Sequence, residues 1–477
     1  MNNAILAVLA PYVILTVSAA VVMGVIAFAR NHVVTVLLTL AAFILSSVSV
    51  IRLFFDPPFQ VTPLITMDRY ALFFVGLILL GAFTVTALSY SYLARHQGHR
   101  EEYYLLLLLA VLGCTVLAAA THFASFFLGI ELLSISLYAL AAYFRHSNRS
   151  VEAGVKYLIL AAVSSAFILF GMALIYADTG SLVFSNVASS IASRGVQQLP
   201  FLSGVTMIIV GVGFKLAVVP FHLWTPDVYE GAPAPVTAFI ATASKGAVFA
   251  LVLRYFTNID IHAHASLLVT LTLIAVASMF TGNLLALFQT NVKRILAYSS
   301  ISHLGYLLVT ILASGPLALI AAAFYLTAYF VTTLGAFGVV TILSTSGRDA
   351  DQLDDYTGLV ARRPWLAGVF TAMLFSLAGI PLTAGFIGKF YIIAAGIGAA
   401  LWPVVIVLVI NSVIGLYYYL RIIVILFTPD GAERPAGPVH SRSGNLMLAA
   451  LVLLLFWLGV YPEPVVRLIK AAIQGLI

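Results

Sequence analysis

Four ionisable side chains stand near the middle of long apolar runs: Glu131, Lys215, Lys245 and Lys389. A charge at bilayer depth costs at least about 2.5 to 3.5 kcal/mol on insertion scales, so each of the four asks for a partner or a pathway. One carboxylate and three ammonium groups suit proton transfer. An acid and a lysine about 7 Å apart at an effective dielectric near 20 attract by about 2.4 kcal/mol. Moving one proton against 100 mV takes about 2.3 kcal/mol. Opening and closing a Glu131–Lys215 pair thus has the right energy scale to load and release a proton, with Lys245 and Lys389 as following stations. The plainer reading of each residue is a structural ion pair or a side chain snorkelling to the interface, and Lys245-Gly246 also fits close helix packing.

Histidines add weaker signals. His303 lies in YSSISHLGY among Ser299, Ser300 and Ser302, where it can relay protons or hold water, and His222 follows Pro220 by two residues, where it can relay or cap freed carbonyls. His122 opens an apolar run and reads as interfacial. Tyr325, Tyr329, Thr332 and Thr333 recur at helical spacing, which favours a packing stripe over a water-lined one. Glu152 and Lys156 form an i,i+4 pair, first a surface salt bridge and second a proton-entry pair. Gly211 and Gly213 follow no strand and make no nucleotide site. No HExxH, phosphate loop or Ser-His-Asp set stands out, which points away from hydrolysis and metal chemistry.

Two of the lysines sit beside broken helices. In GVGFKLAVVPFHLWTPDVYEGAPAP (Gly211 to Pro235) a proline follows Lys215 by five residues, and in SLAGIPLTAGFIGKF Pro381 precedes Lys389. A proline inside a helix removes one backbone bond and clashes with the carbonyl four residues back, here that of Leu216. Such breaks persist at bilayer depth only where the freed groups meet protein or lined water.

The elements that carry these residues follow from composition. Of 477 residues, 62% are hydrophobic and 8% charged, and the mean hydropathy is +1.10; this excludes an ordinary soluble globule and predicts an all-α polytopic membrane protein. The net charge of +6 is scattered over loops, which points away from nucleic acid. The single cysteine, Cys114, provides neither a disulfide framework nor a ligand set for an iron–sulfur cluster. The first residues lack a positive n-region and read as a retained span rather than a signal peptide. Apolar runs predict fourteen spans, near 4–29, 33–55, 70–93, 103–120, 122–144, 151–177, 201–224, 233–256, 265–288, 295–313, 316–343, 364–396, 401–427 and 443–461.

Loops after odd-numbered spans carry thirteen Lys and Arg residues, Arg434 among them, against Arg52, Arg69, Arg194 and Arg254 after even-numbered spans. That bias puts the odd loops in the cytoplasm and both termini outside. The acidic stretch Asp349, Asp351, Asp354 and Asp355 reads as a solvated loop, with a docking surface as the alternative. The two breaks lie five spans apart, so a five-helix repeat returns inverted, spans 4 to 8 against spans 9 to 13. The expected organisation is an N-terminal part (1–102), repeat one (103–256), inverted repeat two (257–427) and a C-terminal helix 14 (428–477).

The stretches GVGFKLAVVPFHLWTPDVYEGAPAPVTAFIATASKGAVFA, NVKRILAYSSISHLGY and GIPLTAGFIGKFY closely resemble the antiporter-like membrane subunits of the proton-pumping NADH-quinone oxidoreductase, respiratory complex I. The resemblance covers most of the chain. It implies two inverted five-helix repeats with broken helices 7 and 12, an acid–lysine pair at Glu131 and Lys215, a connecting lysine at Lys245 and a terminal lysine at Lys389. Lys389 stands where sister subunit M has a glutamate, and no long lateral helix follows span 14, so the resemblance is to the subunit N branch. It also implies that NADH, FMN, iron–sulfur clusters and quinone belong to partner subunits, that subunit M and small membrane subunits are neighbours, and that the chain sits in a bacterial inner membrane. The alternatives are a subunit of a multisubunit sodium/proton antiporter, a ferredoxin-fed relative in a thylakoid membrane, and a membrane scaffold without transport.

Overall fold

Helix caps mark where the apolar runs start. Side chains of Asn31, Asp68, Ser147, Asn291 and Ser441 accept the first free backbone N–H groups of the helices they precede. In the computed structural model, which describes residues 3–56, 59–96, 98–194, 199–259, 261–429 and 441–475, every expected span has a helical counterpart. Among the described residues thirteen helices, from Ala10–Phe28 to Arg442–Val460, are long and apolar enough to cross a bilayer. The remaining crossing, span 12, is shared by Pro364–Ala378 and Ala384–Gly398. Spans 8 (Ala234–Phe256) and 10 (Val292–Ala313) are buried along their whole apolar length, whereas span 9 (Ala265–Leu287) turns most of its surface outward. The lysine-bearing centre is thus wrapped by spans whose outer faces suit lipid.

The two breaks differ from the expectation in extent. Span 7 stops at Leu216 instead of running to residue 224, and resumes as Trp224–Gly231. Its end falls on the residue whose carbonyl the Pro220 ring would strike. Ala217, at φ 60°, closes the helix in the left-handed conformation. Span 12 stops at Ala378, where Gly379 takes φ 88°, and Leu382 is left-handed as well at φ 72°. Packing partners repeat between the halves: span 4 lies on spans 5 and 8 as span 9 lies on spans 10 and 13, and span 6 touches both pieces of span 7 as span 11 touches both pieces of span 12.

Several features differ from the sequence reading. A hairpin, Phe59–Thr62 with Ile65–Met67, precedes span 3. A helix, Phe184–Arg194, occupies the loop after span 6. Beyond span 14, Glu463–Ile473 is strongly amphipathic and buries Val466, Ile469, Ala472 and Ile473 against spans 3 and 11. Arg254 is no loop charge: it is 4% exposed and grips Asp68 through two bonds of 2.7 Å, a fork a buried carboxylate demands. Arg434 and the side chain of Arg194 lie outside the described residues.

Three of the four carboxylates in the acidic stretch are tied down rather than solvated, while Asp354 is exposed. Asp349 meets the buried Lys293 at 2.7 Å. Asp351 accepts from Asn291 at 2.8 Å, and Asp355 takes both guanidinium nitrogens of Arg348, which holds Arg348 above its ordinary pKa. Lys156 is likewise more than half of a surface pair, because its ammonium reaches both Glu152 and Asp227 at 2.7 Å. Arg294 joins Asp227 to Glu230 at 2.8 and 2.9 Å. These contacts form a web around the end of Trp224–Gly231.

Candidate proton path

Lys215 occupies the last turn of the first piece of span 7 and is 5% exposed. The freed backbone groups nearby are met by protein: Trp224 Nε1 donates to Phe214 O at 3.0 Å, and Val219 N donates to Ser278 Oγ at 2.9 Å. The ammonium itself donates to Ser134 Oγ of span 5 at 2.5 Å. Ser134 in turn donates to the carbonyl of Ile130 at 2.6 Å. Glu131, one helical turn before Ser134, accepts from Ser165 of span 6. Among the described residues no salt bridge joins Glu131 to Lys215, so each partner of the expected pair rests on a serine and the pair stands open.

Lys245 comes directly after a π-helical turn, Ile240–Ser244, in span 8. Such a turn inserts one residue and re-aims the side chains beyond it. The Lys245 Nζ donates to Ser300 Oγ at 2.8 Å and lies 5.3 Å from the centre of the Tyr229 ring. Tyr329 donates to the same Ser300 oxygen at 2.8 Å. One turn on, His303 shares hydrogen bonds with Tyr325 at 2.6 Å and Tyr419 at 3.1 Å. Tyr419 also bonds Ser299. A small cavity then brings His303, Tyr325, Tyr329, Thr332 and Ser376 to the same wall as Lys389. Lys389 donates to Ala378 O, one of the carbonyls freed by the break in span 12, and to Ser412 Oγ, both at 2.8 Å.

Lys245, His303 and Lys389 are therefore brought onto one polar line, while Lys215 and Glu131 form a second group beside it. No hydrogen bond among the described residues joins Lys215 to Lys245. His222 stays apart: it is buried, and neither ring nitrogen has a well-aligned partner. His122 caps span 5, its Nδ1 accepting from Ala124 N at 2.9 Å. The Tyr325, Tyr329 and Thr332 stripe, which reads as packing, lines the small cavity beside Lys389. The partners that sequence reasoning missed, Ser134, Ser165, Ser300 as a lysine acceptor and Ser412, left one faint signal: Ser134 falls i+3 from Glu131, on the same helix face.

Two interrupted crossings, each carrying a buried lysine beside its break, define the antiporter-like class of ion-translocating membrane subunits. The family described as NADH:quinone oxidoreductase/Mrp antiporter, TM, matches residues 120–415, and the chain belongs to it. It is 49% identical to NADH-quinone oxidoreductase subunit N of Ectopseudomonas mendocina (strain ymp), over 97% of this chain and 96% of that one. It is 53% identical to the subunit of the same name from Nitrosospira multiformis, over 99% and 97%. A chain in the structure of respiratory complex I from Thermus thermophilus with bound aureothin is 34% identical, with a TM-score of 0.83 over 97% of this chain and all of that one.

Proposed function

We infer from the polar line of buried bases that this chain is the proton-translocating membrane subunit of a NADH-quinone oxidoreductase. The observation that carries the reading is the run from Lys245 through Ser300, Tyr329 and His303 to Lys389, enclosed by spans whose outward faces are apolar. Glu131 and Lys215 act as the loading pair. Closing it holds a proton on the lysine, and opening it, with Ser134 and Ser165 taking over, lets the proton leave. Lys245, His303 and Lys389 pass it on, and His222 attends the break in span 7. The redox chemistry of NADH, FMN, iron–sulfur clusters and quinone belongs to partner subunits, and antiporter-like and small membrane subunits are its neighbours in the membrane.

The repeated packing of spans 4 to 8 and 9 to 13 supports two inverted five-helix units, bounded at 103–256 and 257–427. The bacterial relatives favour a bacterial inner membrane, and the basic bias of the odd loops favours both termini on its periplasmic side. The names of the relatives favour the oxidoreductase over a sodium/proton antiporter subunit. In complexes of full subunit content, Lys215→Ala or Glu131→Ala is expected to lower proton pumping and coupled quinone reduction together. Wild-type pumping in both variants would remove the loading pair from the mechanism.

A further inference from the structure

One group of buried polar side chains has no place on that line. Asn283 of span 9 donates to Tyr306 OH of span 10 at 3.0 Å and to Asn411 Oδ1 of span 13 at 3.3 Å, and accepts from Tyr418 OH at 2.9 Å. Asn411 also donates to its own helix at Val407 O, at 3.0 Å. All four side chains are at most 2% exposed. Buried polar groups are tolerated when they satisfy one another, and a fully satisfied set fixes one geometry. Carboxamides neither gain nor lose protons near neutral pH, so the two asparagines make a poor relay and a good clamp.

The clamp holds the surroundings of Lys389. Asn411 immediately precedes Ser412, whose Oγ accepts from Lys389 at 2.8 Å. Tyr306, held by its hydroxyl, presents its ring 5.4 Å from the Lys389 ammonium. The backbone makes room for the arrangement. A Cβ on Gly282 would lie 2.6 Å from Ser302 N, and one on Gly305 2.9 Å from Ala275 O, so spans 9 and 10 approach closely beside Asn283 and Tyr306. A Cβ on Gly415 would stand 3.1 Å from Asn283 Oδ1.

We propose that Asn283, Tyr306, Asn411 and Tyr418 form a positioning knot for Lys389, fixing Ser412 and the Tyr306 ring around its ammonium. The proposal rests on the reading of Lys389 as a proton station. The titratable side chains that face Lys389 are His303 and Tyr306 from span 10 and Tyr325 and Tyr329 from span 11; span 12 adds Ser376 and span 13 adds Ser412.

The test uses the whole complex in proteoliposomes, with Asn283→Leu, Gly415→Ala and Tyr306→Phe variants beside Lys389→Met. Pumping rate is followed across pH in preparations whose subunit content matches wild type. Each knot variant is expected to pump about tenfold more slowly, the scale of one buried hydrogen bond to a critical group, and to displace the pH profile by about one unit. A wild-type profile in the knot variants, with pumping lost in Lys389→Met, overturns the knot alone. Wild-type pumping in Lys389→Met overturns the station and the knot with it. Failure of all three knot variants to assemble overturns positioning in favour of a purely structural role.

Discussion

Ser134→Ala probes the open state of the loading pair most directly. In the structure the Lys215 ammonium rests on Ser134 Oγ at 2.5 Å while Glu131 is held by Ser165. A hydrogen bond to a charged group contributes about 1.5 to 3 kcal/mol, and removing the hydroxyl withdraws that from the open arrangement only. The nearest alternative for the ammonium is the Glu131 carboxylate, one turn away on the same helix. Closing a pair from about 7 Å to contact near 4 Å gains roughly a further 1.8 kcal/mol at an effective dielectric of 20, a gain that the wild type already has available. The substitution thus shifts the open–closed ratio by its own 1.5 to 3 kcal/mol, about ten- to a hundred-fold toward the closed pair. If each turnover requires opening, pumping in proteoliposomes falls by about tenfold or more, and Ser134→Thr, which keeps the hydroxyl, stays close to wild type. A Ser134→Ala complex of normal composition that pumps within about twofold of wild type refutes the reasoning, because no step would then depend on the serine-held state.

Two further substitutions test the fold around the site. Arg254→Leu leaves Asp68 buried and unpaired, a change of about 3 to 5 kcal/mol; it is expected to deplete the subunit from membranes, read by immunoblot, and normal levels with normal thermal stability would contradict it. A Cβ on Gly385 would meet the Ser376 carbonyl oxygen at 1.9 Å, so Gly385→Ala should force the two pieces of span 12 apart and depress coupled activity more than Gly398→Ala, where a Cβ meets nothing.

Charged residues in apolar surroundings were legible because burying a charge is costly enough to be rare; that singled out Glu131, Lys215, Lys245 and Lys389, and the prolines marked both breaks. Their hydrogen-bond partners were not legible. A serine in an apolar helix commonly satisfies itself on the carbonyl four residues back, as Ser134 does on Ile130, and nothing local tells whether a lysine 81 positions away also uses it. Arg254 was misread as a loop charge for a related reason, since its partner Asp68 lies 186 residues earlier. The acidic stretch looked solvated because its density of charge resembles a loop, yet the buried Lys293 meeting it belongs to the start of span 10. The π-helical turn before Lys245 left no compositional trace, being built from Ile, Ala, Thr and Ser.

The web around Trp224–Gly231 bears on how force reaches the pair. Asp227 and Glu230 moor this short helix to Lys156 and Arg294 at one end, while its other end adjoins the break that begins at Ala217. A piece anchored so close to its far end is a poor piston, because sliding it along its axis would tear several ion pairs at once. The cheaper motion is the swing of a four-carbon lysine stem between Ser134 and Glu131, a side-chain rearrangement that leaves the moored helix in place. Any slow step in turnover would then originate outside this segment, in whatever makes the swing favourable.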